Sequence, residues 1–135
     1  MAMLNFKYFE KVSTTTTLPT GAASGCKGIT YGVTYYDGLN NPTISFSQTV
    51  NWCYDGTKIT SVTHTHGTKT YQGFYKYNGL LADNHSGGVG KTSFYAYSQA
   101  NMCETVPGFG CNWYIYPSVT ETVYGNGTFS ASVTK

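Results

Sequence analysis

Charge is scarce in this chain, and arginine is missing altogether. Only 10% of the 135 residues are charged, as eight singly spaced lysines and six carboxylates, where an average globular domain carries about 25%. Phosphate neutralisation and guanine recognition lean on arginine and clustered lysine, so the composition argues against a nucleic-acid partner. Long apolar runs are also absent: nothing approaches the roughly 18 consecutive apolar residues of a transmembrane helix. No G-x-S-x-G elbow is present, and none of the six acids sits in a recognisable catalytic context, so the expectation is a protein that is not an enzyme. The run Ser86-Gly87-Gly88-Val89-Gly90-Lys91-Thr92 looks like a phosphate-binding loop, but His85 stands where its first glycine belongs. The following Ser93–Tyr97 alternates like a strand rather than a helix, so the run reads as a glycine loop between strands.

What replaces charge is threonine, serine, asparagine, glycine and tyrosine. The chain holds 21 Thr, 16 Gly, 13 Tyr, 11 Ser and 9 Asn, and with this aromatic content at a net charge of +2 it is no disordered segment. After residue 26 apolar residues do not recur at helical spacing. They alternate with polar ones instead, in segments rich in β-branched and aromatic residues. Asp37-Gly38, Asp55-Gly56, Asn78-Gly79 and Gly125-Asn126-Gly127 are turn sequences. They delimit strands at 29–36, 43–54, 57–66, 68–77, 91–99, 112–124 (broken at Pro117) and 128–134. The predicted fold is all-β, an antiparallel β-sandwich or small barrel of about seven strands over residues 26–135. Residues 1–25 read as an apolar arm followed by a Thr/Gly-rich linker; Met1–Val12 lacks the continuous apolar stretch and cleavage site of a secretory signal.

In Thr43–Tyr54 the even positions Ile44, Phe46, Val50, Trp52 and Tyr54 share the core face. A two-residue turn at Asp55-Gly56 would put Trp52 opposite Ile59, and His64 and His66 on the outer Ser/Thr face with Cys53. Val119, Val123, Phe129, Ala131 and Val133 form the apolar face of the last hairpin. Glu121 interrupts it and is expected at a sheet edge, guarding against aggregation.

Four cysteines, an even number with no C-x-x-C pair, point to disulfides rather than a zinc site, and hence to an oxidising, extracellular setting. Cys103 and Cys111 bracket a compact Pro-Gly loop, so the expected bridges are Cys103–Cys111 and Cys26–Cys53, each contributing about 2–4 kcal/mol.

Two groups of residues are candidate sites. His64-x-His66 projects two imidazoles from one strand face, and His85, with Asp83 beside it, is a candidate third zinc ligand; three ligands and an open position would suit a metal-dependent enzyme. Aromatic and amide side chains cluster near turns, with Trp113, Tyr114, Tyr116, Tyr75, Tyr77 and Asn78 as candidate ligand-binding residues. Flat rings match the C–H face of a sugar, and amides match its hydroxyl rim.

The run Asn51-Trp52-Cys53-Tyr54-Asp55-Gly56-Thr57-Lys58-Ile59-Thr60-Ser61-Val62, the later Gly73-Phe74-Tyr75-Lys76-Tyr77-Asn78-Gly79-Leu80, and the closing Val119–Phe129 resemble secreted β-domains of Gram-positive actinobacteria, over the C-terminal two-thirds of the chain. That resemblance brings no function with it. The expectation is therefore a secreted, non-catalytic binding or surface module that recognises a polysaccharide or other glycan. Alternatively, the chain is a structural protein whose arm adds a strand to a neighbouring copy.

Overall fold

The computed structural model describes the backbone of residues 5–15 and all of residues 24–134. Among these there is no helix. Nine strands run in chain order: β1 (Asn5–Thr15), β2 (Gly25–Tyr36), β3 (Pro42–Tyr54), β4 (Ile59–Thr70), β5 (Tyr75–Gly87), β6 (Ser93–Val106), β7 (Gly110–Ile115), β8 (Ser118–Tyr124) and β9 (Phe129–Thr134). They form two open antiparallel sheets packed as a sandwich, one ordered β1-β2-β3-β4 and the other β5-β6-β8-β9, with β7 also on β6. The body beyond residue 25 thus holds eight strands. The expected broken strand at 112–124 is β7 and β8, laid one after the other along the same flank of β6. Pro117 makes the break because it has no N–H to donate to the ladder, while its carbonyl accepts from the Ala100 amide at 2.9 Å.

The turns at Asp37, Asp55 and Gly125-Asn126-Gly127 form where expected. At the first two, an aspartate carboxylate gathers the amides: Asp37 Oδ1 accepts from Leu39 and Asn41, and Asp55 Oδ1 from Thr57 and Lys58. These amide donors hold both carboxyls below their usual pKa. Asn78-Gly79 is not the expected turn. It is a bulge inside β5, where the register slips between Tyr77 and Leu80 and Gly79 takes φ 107°, a conformation glycine adopts without cost. β5 therefore continues to Gly87, and the glycine run closes the turn into β6.

Residues Asn5–Thr15 of the expected separate arm are strand β1, paired with β2 from Asn5↔Tyr36 to Thr15↔Cys26. Most of the expected linker, residues 16–23, lies outside the described residues. Both expected disulfides are present: Cys26 bridges to Cys53 directly opposite it on β3, and Cys103 on β6 to Cys111 on β7.

Period-two alternation puts the inward residues of both sheets into two buried apolar clusters. One holds Val33, Ile44, Phe46, Ala100, Met102 and Val119, the other Ile29, Val50, Trp52, Ile59, Phe94, Ala96 and Val123. Trp52 ties the sheets together, its Nε1 donating to the Tyr124 carbonyl at 3.0 Å and its ring meeting Phe129 edge-on. Between the two clusters lies a polar layer. It contains buried Gln48, Ser98 and Glu121, flanked by His66, which pairs with Gln48 in register, and Asp83, which pairs with Ser98.

Candidate functional site

A single inserted residue decides where the histidines point. Asp55-Gly56 turns the chain, but the β3–β4 ladder slips after Tyr54↔Ile59, so that Cys53 faces Ser61, Trp52 faces Val62, Val50 faces His64 and Gln48 faces His66. The straightforward hairpin register would have set Trp52 against Ile59 and left both histidines outside. With the slip, Ile59 and the histidines all face inward, since one residue of register inverts every side chain beyond it. The expectation of an outer, Ser/Thr-lined position for His64 and His66 is thereby corrected.

β4 ends one sheet and β5 ends the other, and the inward face of β4 looks across at Asp83 and His85 of β5. His64 Nε2 and His66 Nε2 stand 3.6 and 3.5 Å from the same Asp83 oxygen, Oδ1. The His66 ring lies parallel to Phe46, and the His64 ring contacts Phe94 and His85, the latter at 5.2 Å between centroids. The two imidazoles are mostly covered while the Asp83 side chain is 44% exposed, so the group opens to solvent on one side. Burial pushes the His66 imidazole below its ordinary pKa, Asp83 pulls it back up, and His64 pushes it down. The structure therefore joins residues 64–66 to residues 83–85. Three of the four, His64, His66 and Asp83, bring ligand atoms within 4.8 Å of one another; His85 is an exposed neighbour of that set.

Deeper in the same layer, Gln48 Nε2 donates to Glu121 Oε1 at 2.9 Å and to the Ala96 carbonyl at 3.2 Å. Glu121 is not at an edge: β8 lies between β6 and β9, and the side chain is fully buried. Desolvation pushes its carboxyl up to about 8, against the lowering effect of the Gln48 hydrogen bond. Its second oxygen, Oε2, has no partner.

The six candidate ligand-binding residues divide by face. Tyr75 is buried, its hydroxyl donates to Glu104 Oε2 at 3.0 Å, and burial together with that carboxylate raises its pKa to about 12. Tyr77 packs against the apolar core. Neither belongs to an exposed platform. On β7, Ile115 packs inward, so Trp113 shares its side of the sheet and Tyr114 takes the other, where Tyr116, just past the strand's end, stacks beside it. Tyr114 and Tyr116 are 48% and 44% exposed, with ring centroids 6.1 Å apart and planes within 6° of parallel. Their outer face also carries Asn78, Asn101 and Gln99: Asn78 Nδ2 lies 3.4 Å from Asn101 Oδ1 and 3.5 Å from Cys111 Sγ, and Gln99 Nε2 donates to the Tyr116 carbonyl.

Sheet order, register and bridges together define an open antiparallel β-sandwich stapled by two disulfides, of a kind suited to an oxidising compartment. No family model matches the chain, and no curated protein and no solved structure matches it either.

Proposed function

We propose that this protein is a secreted, non-catalytic binding module that holds a neutral glycan on the outer face of β6 and β7. The observation that carries the reading is the pair of half-exposed, parallel rings of Tyr114 and Tyr116. Such rings offer flat apolar area for a pyranose C–H face, with phenol groups at the rim. Asn78, Asn101 and Gln99 on the same face supply amide donors and acceptors for sugar hydroxyls. The Cys103–Cys111 bridge closes the β6–β7 hairpin next to the rings, which limits the ordering cost of binding.

A panel of neutral polysaccharides tests this directly. Tyr114→Ala and Tyr116→Ala should each weaken binding by about tenfold, which corresponds to about 1.4 kcal/mol. Trp113→Ala, on the other side of the strand, should change it less than about twofold. Failure of the wild type to bind any polysaccharide, or equal losses in all three variants, overturns the assignment.

A further inference from the structure

We propose that His64, His66 and Asp83 form a site for a zinc-class divalent cation, spanning the open seam where the edge strand of one sheet meets the edge strand of the other. β4 and β5 belong to different sheets, so the site would link two strands that share no ladder. The donor set is two imidazole nitrogens and a carboxylate oxygen, the nitrogen and oxygen chemistry that zinc takes. With metal–ligand bonds of about 2.0–2.1 Å, neighbouring ligand atoms of a tetrahedral site stand about 3.3–3.4 Å apart. The two nitrogens stand 3.6 and 3.5 Å from Asp83 Oδ1, within a few tenths of an ångström of that spacing, and all three ligand atoms lie within 4.8 Å of one another, so that binding one ion draws the two imidazoles together.

An ion pair alone does not account for the arrangement. His66 Nε2 is closed off from solvent and makes no hydrogen bond, Asp83 included, although a buried polar atom is ordinarily satisfied. A cation is the partner that this nitrogen, His64 Nε2 and Asp83 Oδ1 can all share. The His66 ring is already seated against Phe46 and that of His64 against Phe94, so little ordering is left to do. Exposed Asp83 and His85 lie on the solvent side of the group.

Zinc titration of the metal-free protein should give one site per chain with micromolar or tighter affinity. His64→Ala, His66→Ala and Asp83→Asn should each weaken it by about tenfold or more, and Thr65→Ala, which faces the other way, should not. Zinc should also raise the melting temperature of the wild type and not of those three variants. Asp83→Asn is the decisive substitution, because a surface histidine pair alone would bind zinc without Asp83. Footprinting with diethyl pyrocarbonate needs no variant: zinc should protect His64 of the wild type, whose Nε2 is not among the buried atoms. Absence of stoichiometric binding, wild-type affinity in Asp83→Asn, or unchanged reactivity of His64 overturns the proposal. None of these outcomes depends on the glycan reading.

Discussion

Glu121 carries the largest electrostatic cost among the described residues, and the sign of that cost sets a pH dependence. Its carboxyl titrates near 8 in the folded protein against 4.5 for a free side chain, so the folded state holds a proton that the unfolded state releases. Stability from this group is full below pH 4.5 and is lost as pH rises to about 8. Glu121→Gln, which is neutral throughout, should match the wild type below pH 4.5 and exceed it by about 3–5 kcal/mol above pH 8. Urea midpoints at several pH values for the two proteins check this, and parallel curves would refute it. His66 works in the opposite sense: its folded pKa is depressed, so its contribution is present above pH 6.5 and is lost on acidification below it. Part of this was legible in the sequence. Glu121 breaks the apolar phase of its strand, and Gln48 breaks the phase Ile44, Phe46, Val50, Trp52 in the same way. Two polar residues in apolar phase are natural partners across a sandwich, but period two says only that they face inward, not which strands they meet.

At the scale of elements, the hairpins were readable from their turn residues and the slips within them were not. Gly125 shows why close packing can demand a glycine at ordinary φ. A Cβ there would stand 2.1 Å from the Thr57 carbonyl oxygen, because the β8–β9 turn lies backbone to backbone on the β3–β4 turn, with the Gly56 amide donating to the Gly125 carbonyl at 2.9 Å. Gly125→Ala should therefore cost about 2–4 kcal/mol, a value typical of substitutions that force backbone apart, measurable by urea denaturation. The disulfides form a second test. Cys26–Cys53 spans 27 residues and Cys103–Cys111 spans 8, so loop-closure entropy ranks them at about 3.6 and 2.6 kcal/mol. Paired Cys→Ser variants should follow that order in chemical denaturation, and only loss of the β6–β7 bridge should loosen the Tyr114/Tyr116 face. The bulges at Thr60 and at Asn78-Gly79 left no mark that a turn sequence would not also leave. They are stabilised by what the displaced side chains then touch, which is tertiary.

For the molecule as a whole, the small charge has two measurable consequences. Binding through rings and amides gains little from long-range steering, so the proposed glycan affinity should change less than about twofold between low and high salt. Self-association is governed by edges instead. β1 occupies the outer flank of β2 in its own sheet along eleven register pairs, leaving no need for a neighbour to supply that strand. Removal of residues 1–23 should expose an unpaired β2 edge and promote association, seen as a rise in mass by light scattering; a strictly monomeric truncated chain would contradict this. The opposite result, an oligomeric full chain that becomes monomeric on truncation, would instead support assembly through the arm.

Local physics was enough for the sequence alone to point to an all-β sandwich or barrel, three of its four marked turns, the apolar faces of β3 and of the last hairpin, and the two disulfides that the structure then shows. Side-chain period, turn conformation and cysteine pairing each depend on residues close in the chain or on simple parity. Tertiary structure decided what parity cannot. One inserted residue after Tyr54 turned His64 and His66 from the outer surface to the interior, sheet order placed Glu121 away from any edge, and the meeting of two edge strands brought Asp83 to both histidines. Each of these rests on contacts between segments distant in the chain, whose energy enters only when the two sheets close on each other.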